Sequence, residues 1–318
     1  MALNIGTVTF ENPFLLAPLA GVTDAPFRKV CREQGAAMAY SEMISAKGLY
    51  YNDKNTERLL HLYEGEQPAA IQIFGSEPAM IAFAAEALKP RSNNILDINM
   101  GCPVPKVVKN GEGSALMKSP DLVYRLVEVA VQKAGKPVTI KTRIGFDDTC
   151  LNAVEVAKAA EAAGAAAIAI HGRTREQYYS GKADWKRIAE VKRAISVPVL
   201  GSGDIFSAED ALAMLRETDC DFVMVARGAL GNPWIFREMT ALWRGEEKPA
   251  PPTLTEKKQM MCAHFEDVLA FKGEYAAVRE MRKHVGWYLK GVPGSAALRG
   301  EINKITTAEN LRAAINGI

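Results

Sequence analysis

Cys102 stands on a turn, Asp97-Ile-Asn-Met-Gly-Cys-Pro103, that follows directly on an apolar run, residues 94–98, with the character of a strand. In a chain that alternates strands and helices, a reacting side chain is presented at a strand's carboxyl end. A thiol there serves as nucleophile, metal ligand or proton donor. Gly101 and Pro103 suit the tight turn, and the Asn99 amide can hydrogen-bond a heterocycle. The other cysteines, Cys31, Cys150, Cys220 and Cys262, supply no CxxC and no Cys/His pair at metal-ligand spacing, so neither a disulfide framework nor a metal site is expected.

Lys141 ends another apolar run, in Val138-Thr-Ile-Lys-Thr-Arg143. A lysine there is costly unless paired, so an anionic ligand explains it better than packing. Reduced flavin is one such ligand: its ring carries negative charge near N1 and the C2 carbonyl, where an ammonium both binds and tunes it. Gln72 can meet the polar edge of such a ring, and Ala17 and Pro18 are small enough to let it lie against backbone. His171 also ends a strand-like run, as a ligand or as a histidine satisfied by neighbouring backbone. Two further segments, Gly201-Ser-Gly-Asp204 and Ala226-Arg-Gly228, suit a phosphate. Glycine lets backbone N–H groups come close, and Arg227 adds a forked, charge-assisted contact. Alternatively, the paired glycines only make a turn.

Eight strand-like runs carry these residues: 14–17, 38–41, 69–74, 94–98, 137–141, 166–170, 198–201 and 221–225. Between most of them lie stretches with helical periodicity, such as 77–88, 120–133, 152–163 and 208–215. The segment before the third strand is short for this pattern. Eight strand-then-helix units predict an α/β fold, a closed (β/α)8 TIM barrel with its site at the carboxyl ends of the strands. That rim gathers Ala17, Pro18 and Leu19, then Gln72, Asn99, Cys102, Lys141, Arg143, His171 and Arg173, and the two phosphate-type segments. After Trp243 a proline-rich linker, residues 245–253, interrupts the pattern. Helical periodicity then returns over 260–272, 276–289, 294–304 and 308–315, with Thr253 or Thr255 as first cap. Residues 1–247 are therefore expected to form a catalytic barrel and 248–318 a small all-α domain.

No apolar run approaches a membrane span, and residues 1–13 lack the basic start and cleavage site of a signal peptide. The cytoplasm is the expected location, with the chain as a monomer. Net charge is uninformative until divided by region. Residues 255–318 hold ten Lys/Arg against seven Asp/Glu, an excess of +3 that leaves −1 on the rest. A positive excess on a small terminal segment fits either contact with a polyanion or an ordinary solvated helix surface.

The chain resembles the tRNA-dihydrouridine synthases of the bacterial B-type branch nearly end to end. The resemblance is carried by Leu16-Ala-Pro-Leu-Ala-Gly-Val-Thr-Asp24, Ser41-Glu-Met43, Ile71-Gln-Ile-Phe-Gly75, Asp97-Ile-Asn-Met-Gly-Cys-Pro103, Lys141-Thr-Arg143, His171-Gly-Arg-Thr174, Gly201-Ser-Gly-Asp204, Gly231-Asn-Pro-Trp-Ile-Phe236 and Arg282-Lys-His-Val-Gly-Trp-Tyr288. It implies an FMN-containing barrel with a helical RNA-binding domain, reducing the C5–C6 bond of selected tRNA uridines with NADPH as electron source. By the same resemblance Cys102 is the proton donor to C5 while FMN delivers hydride to C6. Ala17, Pro18, Leu19, Gln72, Lys141, His171, Ser202, Gly203, Asp204, Ala226 and Arg227 fall on flavin-binding positions, and Asn99 and Arg143 face the uracil. Leu19, Ser202 and Ala226 depart from the family's commoner Met, Asn and Gly. The first conserves volume and a backbone contact survives the others, so flavin affinity is expected to change slightly at most.

Physical chemistry agrees with that assignment. Hydride addition at C6 builds enolate character at C5 and O4, so an acid must protonate C5 from the opposite face, and a thiol with a pKa of about 8.5 is mostly protonated at neutral pH. Reaching a uridine inside folded tRNA requires extruding the base, at about a few kcal/mol of lost stacking, which backbone contacts must offset. Arg279, Arg282, Lys283 and Lys290 are assigned those phosphate contacts, and residues 106–113 form a loop able to close over the base. Two other readings stay open: a flavin barrel acting on a free pyrimidine, as dihydroorotate dehydrogenases do, and a non-catalytic RNA-binding protein.

Overall fold

A computed structural model describes residues 3–318; Met1 and Ala2, the start of the amino-terminal stretch read above, lie outside the described residues. A short antiparallel hairpin, β1 (Leu3–Ile5) and β2 (Val8–Phe10), comes first. Eight parallel strands then close on themselves in chain order: β3 (Phe14–Leu16), β4 (Met38–Ser45), β5 (Ala69–Phe74), β6 (Ile95–Asn99), β7 (Val138–Arg143), β8 (Ala167–His171), β9 (Val199–Ser202) and β10 (Phe222–Val225). β10 pairs with β3, Val225 opposite Leu16, which closes the barrel. These strands read as near-continuous apolar runs because both faces are covered, one by barrel filling and the other by helices. The expected strand positions hold to within one or two residues, except that β4 runs on to Ser45 through a register shift between Tyr40 and Met43.

Two layers of core follow from the alternation of side chains along each strand. Leu15, Met38, Tyr40, Ala70, Ile95, Ala169, Leu200 and Met224 fill the interior, and the hairpin adds Ile5 and Phe10 beneath them. Phe10 meets the edge of Phe222 at 5.3 Å between ring centroids, so the hairpin stoppers the amino-terminal end of the barrel. The opposite strand faces pack on helices such as Pro78–Leu88 and Pro120–Ala134. Two crossovers hold helices that periodicity left unassigned. Short helices Ala46–Tyr50 and Lys54–Leu59 occupy the stretch before β5, and Trp185–Ala194, N-capped by the Asp184 carboxylate, precedes β9. All three are short or dominated by charged and polar residues, which weakens an apolar period.

After the proline-rich segment come the helices Leu254–Lys272, Glu274–Tyr288, Ser295–Ile302 and Ala308–Asn316. Thr253 caps the first, in a reciprocal box with Glu256 that satisfies two orphan backbone donors. The four share a buried cluster of their own, including Met261, Phe265, Val278, Met281, Val285, Leu311 and Ile315. They dock on the barrel through the helix Ala25–Glu33 and the loop before it. Lys272 Nζ lies 2.6 Å from both Asp24 and Glu280, and Lys29 Nζ 2.9 Å from Asp267. Phe27 stacks against His264 and His284, whose burial holds both imidazoles below their ordinary pKa, His264 at about 4.

Gly231 marks the closest approach of this seam. Its φ is +69°, and a Cβ there would stand 2.2 Å from the carbonyl carbon of Trp287, a backbone atom that cannot swing aside. Gly245 has a similar φ of +77° and nothing within 4 Å. Gly245→Ala therefore carries left-handed strain alone, about 1 kcal/mol. Gly231→Ala adds overpacking, for a total loss of more than about 2 kcal/mol. Urea midpoints of the two variants check this; equal midpoints would show that the seam yields freely at Gly231.

Candidate active site

The carboxyl ends of the barrel strands bring the expected residues onto one rim, and the strand register says which stand side by side. Gln72 pairs with Asp97 across β5 and β6, Asn99 with Lys141 across β6 and β7, and Arg143, His171 and Ser202 run across β7, β8 and β9. Beyond Asn99 the chain leaves the sheet, so the backbone of the Cys102 turn must find other partners. The Asn99 carboxamide oxygen accepts from the N–H of Gly101 at 3.1 Å and of Cys102 at 2.9 Å. Arg143 Nε donates to the Gly101 carbonyl at 2.8 Å, and the N–H of Ser114 to the Cys102 carbonyl at 3.1 Å. Gly101 is needed because a Cβ would press within 3.1–3.3 Å of the Thr142 backbone.

Cys102 itself is buried, at 8 % exposure. Burial raises its thiol pKa, a rise tempered by the Val104 N–H and then by the positive charges of Arg143 and Lys141. The thiol is accordingly protonated at neutral pH, which suits an acid and not a nucleophile or metal ligand. Among the described residues no three His, Cys, Asp or Glu side chains cluster as metal ligands would.

The Lys141 side chain makes no hydrogen bond or ion pair among the described residues; burial, then the Arg143 charge, lowers its pKa to about 8. His171 is buried, and its Nε2 has no partner among the described residues. Burial and the neighbouring cations, Lys141 first, hold the imidazole neutral. A cavity bounded by His171, Ser202, Gly203, Asp204, Ala226 and Arg227 opens where β8, β9 and β10 end. Gly203 takes φ +128°, and a Cβ there would stand 2.7 Å from that of Ala183, so only glycine fits. Ala226 has a φ of −113°, so its methyl carries no left-handed strain. The Asp204 carboxylate is engaged by Arg173 Nη2 at 2.7 Å, Arg227 Nη2 at 3.3 Å and the Ala183 N–H, which leaves its backbone as the ligand-facing part. Arg227 lies over the Tyr179 ring at 4.3 Å. Just after β3, the neighbour of β10, Ala17 is buried with its N–H on the Val225 carbonyl, while Pro18 and Leu19 are half-buried beside it.

Several residues stand elsewhere than their types suggest. The Arg143 guanidinium is committed to backbone, with Nη1 on the carbonyls of Thr174 and Tyr178 in addition to the Gly101 contact. Arg282 donates to the Ile305 carbonyl inside the helical cluster, and Lys283 reaches the Gly21 carbonyl on the loop after β3. Arg279 is exposed, its guanidinium 3.5 Å from the Tyr275 ring centroid, and Lys290 is exposed. The stretch 106–113 is not a free loop: a short helix, Pro105–Lys109, leads into a 3-10 turn at Gly113–Lys118. Asp97 and Thr139, side by side beneath Asn99, and Tyr178, whose hydroxyl donates to the Pro103 carbonyl at 2.8 Å, carried no assigned role. A carboxylate within an apolar strand was the available signal for Asp97; Tyr178 lies in an aperiodic loop that offers none.

A larger surface groove lies away from this rim, lined by Lys29, His61, Tyr63 and Phe271 among others, but its lysine is already paired with Asp267. No helix among the described residues is long and apolar enough to cross a membrane.

Solved structures with the same barrel include 6-hydroxypseudooxynicotine amine oxidase from Pseudomonas geniculata (TM-score 0.60, 14 % identity, covering 82 % of this chain) and a 2-naphthoyl-CoA reductase complex (TM-score 0.61, 12 % identity, covering 77 %). This chain spans about half of each (52 %), and at such identities the likeness concerns the fold alone. Sequence relatives reach further. The tRNA-dihydrouridine synthase B of Pseudomonas aeruginosa is 43 % identical over 305 residues, covering 95 % of this chain and 91 % of that one. Its counterpart from Vibrio vulnificus is 42 % identical over 318 residues (99 % and 98 %), and that from Pasteurella multocida 39 % identical over 316 (99 % and 95 %). The family model described as Dihydrouridine synthase (Dus) matches residues 15–316, and with rim and relatives in agreement the chain belongs to the dihydrouridine synthase family.

Proposed function

We propose that this protein reduces the C5–C6 double bond of uridines in tRNA, as an FMN-dependent oxidoreductase fed by NADPH, with Cys102 as the acid that protonates C5. The observation that carries the reading is a protonated, buried thiol on a braced turn, on the same rim as an ammonium and an imidazole nitrogen without partners among the described residues.

The residues present fit a flavin mononucleotide. Gly203 and the backbone of Ser202 and Asp204, with Arg227, would hold its phosphate at the ends of β9 and β10, the place where barrels of this kind bind phosphate. Lys141 would meet the electron-rich edge of the ring, His171 its polar groups, and Ala17, Pro18 and Leu19 the opposite side; Gln72 is fully buried with its carboxamide on Asp97 and Asn99 and would support the site from beneath. When bound, the flavin supplies hydride to C6 of the uracil, drawn from NADPH.

The chain's own contribution to the chemistry is proton delivery. Charge that builds at C5 and O4 is quenched when the Cys102 S–H bond breaks and its proton passes to C5, leaving a thiolate that solvent reprotonates. Arg143 braces the Gly101 carbonyl and so fixes where that sulfur points; its charge and that of Lys141 stabilise the thiolate until the proton returns. Asn99, spent on the turn and on Gln72, supports the same geometry. Extruding a uridine from tRNA calls for phosphate contacts, which exposed Arg279 and Lys290 suit, with Lys283 beside the rim loop. Residues 248–318 are the natural RNA-binding domain, and the cytoplasm, where tRNA and NADPH are both available, the natural workplace.

Two measurements test this reading. Cys102→Ala is expected to keep FMN and tRNA binding but to slow tRNA-driven reoxidation of the reduced flavin by about 10²–10⁴-fold; an unchanged rate in stopped flow removes Cys102 from the mechanism. Lys141 in the flavin-free protein loses its proton near pH 8, so FMN binding above that pH must draw a proton from solvent. FMN affinity, read by quenching of its fluorescence, should fall between pH 7 and 9 by up to about tenfold per unit above pH 8, and Lys141→Arg should flatten the dependence. An affinity independent of pH in the parent protein contradicts the assignment of Lys141 to the flavin.

A further inference from the structure

Asp97 is fully buried in β6, with no salt bridge to any described residue, although alanine or leucine would fill the same interior. Burying a carboxylate in this way is costly, so its presence calls for a reason. Thr139 Oγ1 donates to Oδ1 at 2.6 Å and Gln72 Nε2 to Oδ2 at 2.6 Å. The groups facing it are Tyr40 from β4, Gln72 from β5, and Thr139 and Lys141 from β7. Burial lifts its carboxyl to about 6, still mostly ionised at neutral pH.

An ionised carboxylate only accepts hydrogen bonds. Gln72 must therefore turn its NH2 toward Asp97, which points its carbonyl oxygen at Asn99. Asn99 must answer with its own NH2, at 2.8 Å, and its carbonyl oxygen is thereby left for the N–H groups of Gly101 and Cys102. A carboxamide has nearly the same shape either way round, so the direction of Gln72 and Asn99 is fixed at the two ends of the chain, by the donor-only N–H groups of Gly101 and Cys102 and by the acceptor-only Asp97 carboxylate. Reversed, Asn99 would aim its NH2 at two backbone N–H groups, and the thiol turn would lose both bonds.

We propose that Asp97 is a positioning residue: as an acceptor-only terminus it sets the sense of the chain Asp97–Gln72–Asn99–Cys102 and so holds the thiol where it can deliver its proton. The consequence for turnover rests on Cys102 being the acid; the positioning itself does not, and it can be read without catalysis.

The readout is the rate at which iodoacetamide alkylates Cys102 in the full-length protein, with and without FMN, followed by mass spectrometry of the peptide and repeated across pH. Asp97→Asn keeps the shape but offers Gln72 a donor as readily as an acceptor, so the lock at that end of the chain is lost and the turn's donors hold it alone. It is expected to speed Cys102 alkylation about tenfold or more, the scale of a buried hydrogen bond lost, while buried Cys31 and Cys220 stay unlabelled as a control on folding. In the double variant Asp97→Asn with Gln72→Glu, the amide introduced in β6 donates to a carboxylate that again accepts from Asn99, and protection should return to within about twofold of the parent. An Asp97→Asn rate equal to the parent's, or a double variant as reactive as the single, overturns the proposal. If Asp97→Asn does not fold, the double variant decides: it must fold with Cys102 protected, and failure to do so is equally fatal. Turnover measured alongside separates the two ideas. Faster alkylation with kcat unchanged upholds the positioning and removes Cys102 as the acid, whereas a fall in kcat at constant KM for tRNA upholds both.

Discussion

Where β6 ends, the peptide groups of Gly101 and Cys102 pass out of the sheet, and two side chains and one backbone N–H take the place of the lost ladder. Asn99 supplies the acceptor from the preceding strand, Arg143 the donor from the next one, and Ser114 a backbone N–H from beyond the short helix that follows. Buried backbone groups must be satisfied somehow, and here each partner belongs to a different element, so the turn has one arrangement only. A sulfur carried on it inherits that definition. The barrel provides positions, but these few bonds convert a position into a direction.

The barrel was legible in the sequence because its strands are covered on both faces and stand out as apolar blocks between amphipathic stretches. The rim followed at once, since residues at the strand ends converge once the sheet closes. Direction was not legible. Arg143 is expected to face a base, and its Nε and Nη1 are also spent on three carbonyls; the sequence places it on the rim but says nothing of which backbone groups nearby lack donors. Arg282 shows the same gap: basic residues on a helix suggest phosphate, yet Ile305 offered an orphan carbonyl first. Lys141 stands out from the sequence as needing a partner, because the cost of burying an ammonium at a strand end is a property of the residue type and place, and its side chain has none among the described residues.

The helical segment does more than follow the barrel. It rests on the loop after β3, which Glu42 of β4 and Lys283 of the helix Glu274–Tyr288 grip from either side through the N–H and the carbonyl of Gly21. That loop begins at Ala17, on the rim that the proposed cofactor would occupy. The segment expected to meet RNA is thus mechanically joined, through one glycine, to the wall of the reaction chamber, and Gly231 against Trp287 keeps the two at fixed separation.

The β1–β2 hairpin has a consequence of its own. With Ile5 and Phe10 packed beneath Phe222, the amino-terminal end of the barrel is closed by side chains. On the proposed chemistry, base, solvent and the proton that restores the Cys102 thiol would then all come from the carboxyl-terminal face, so reprotonation and product release would share one side of the molecule.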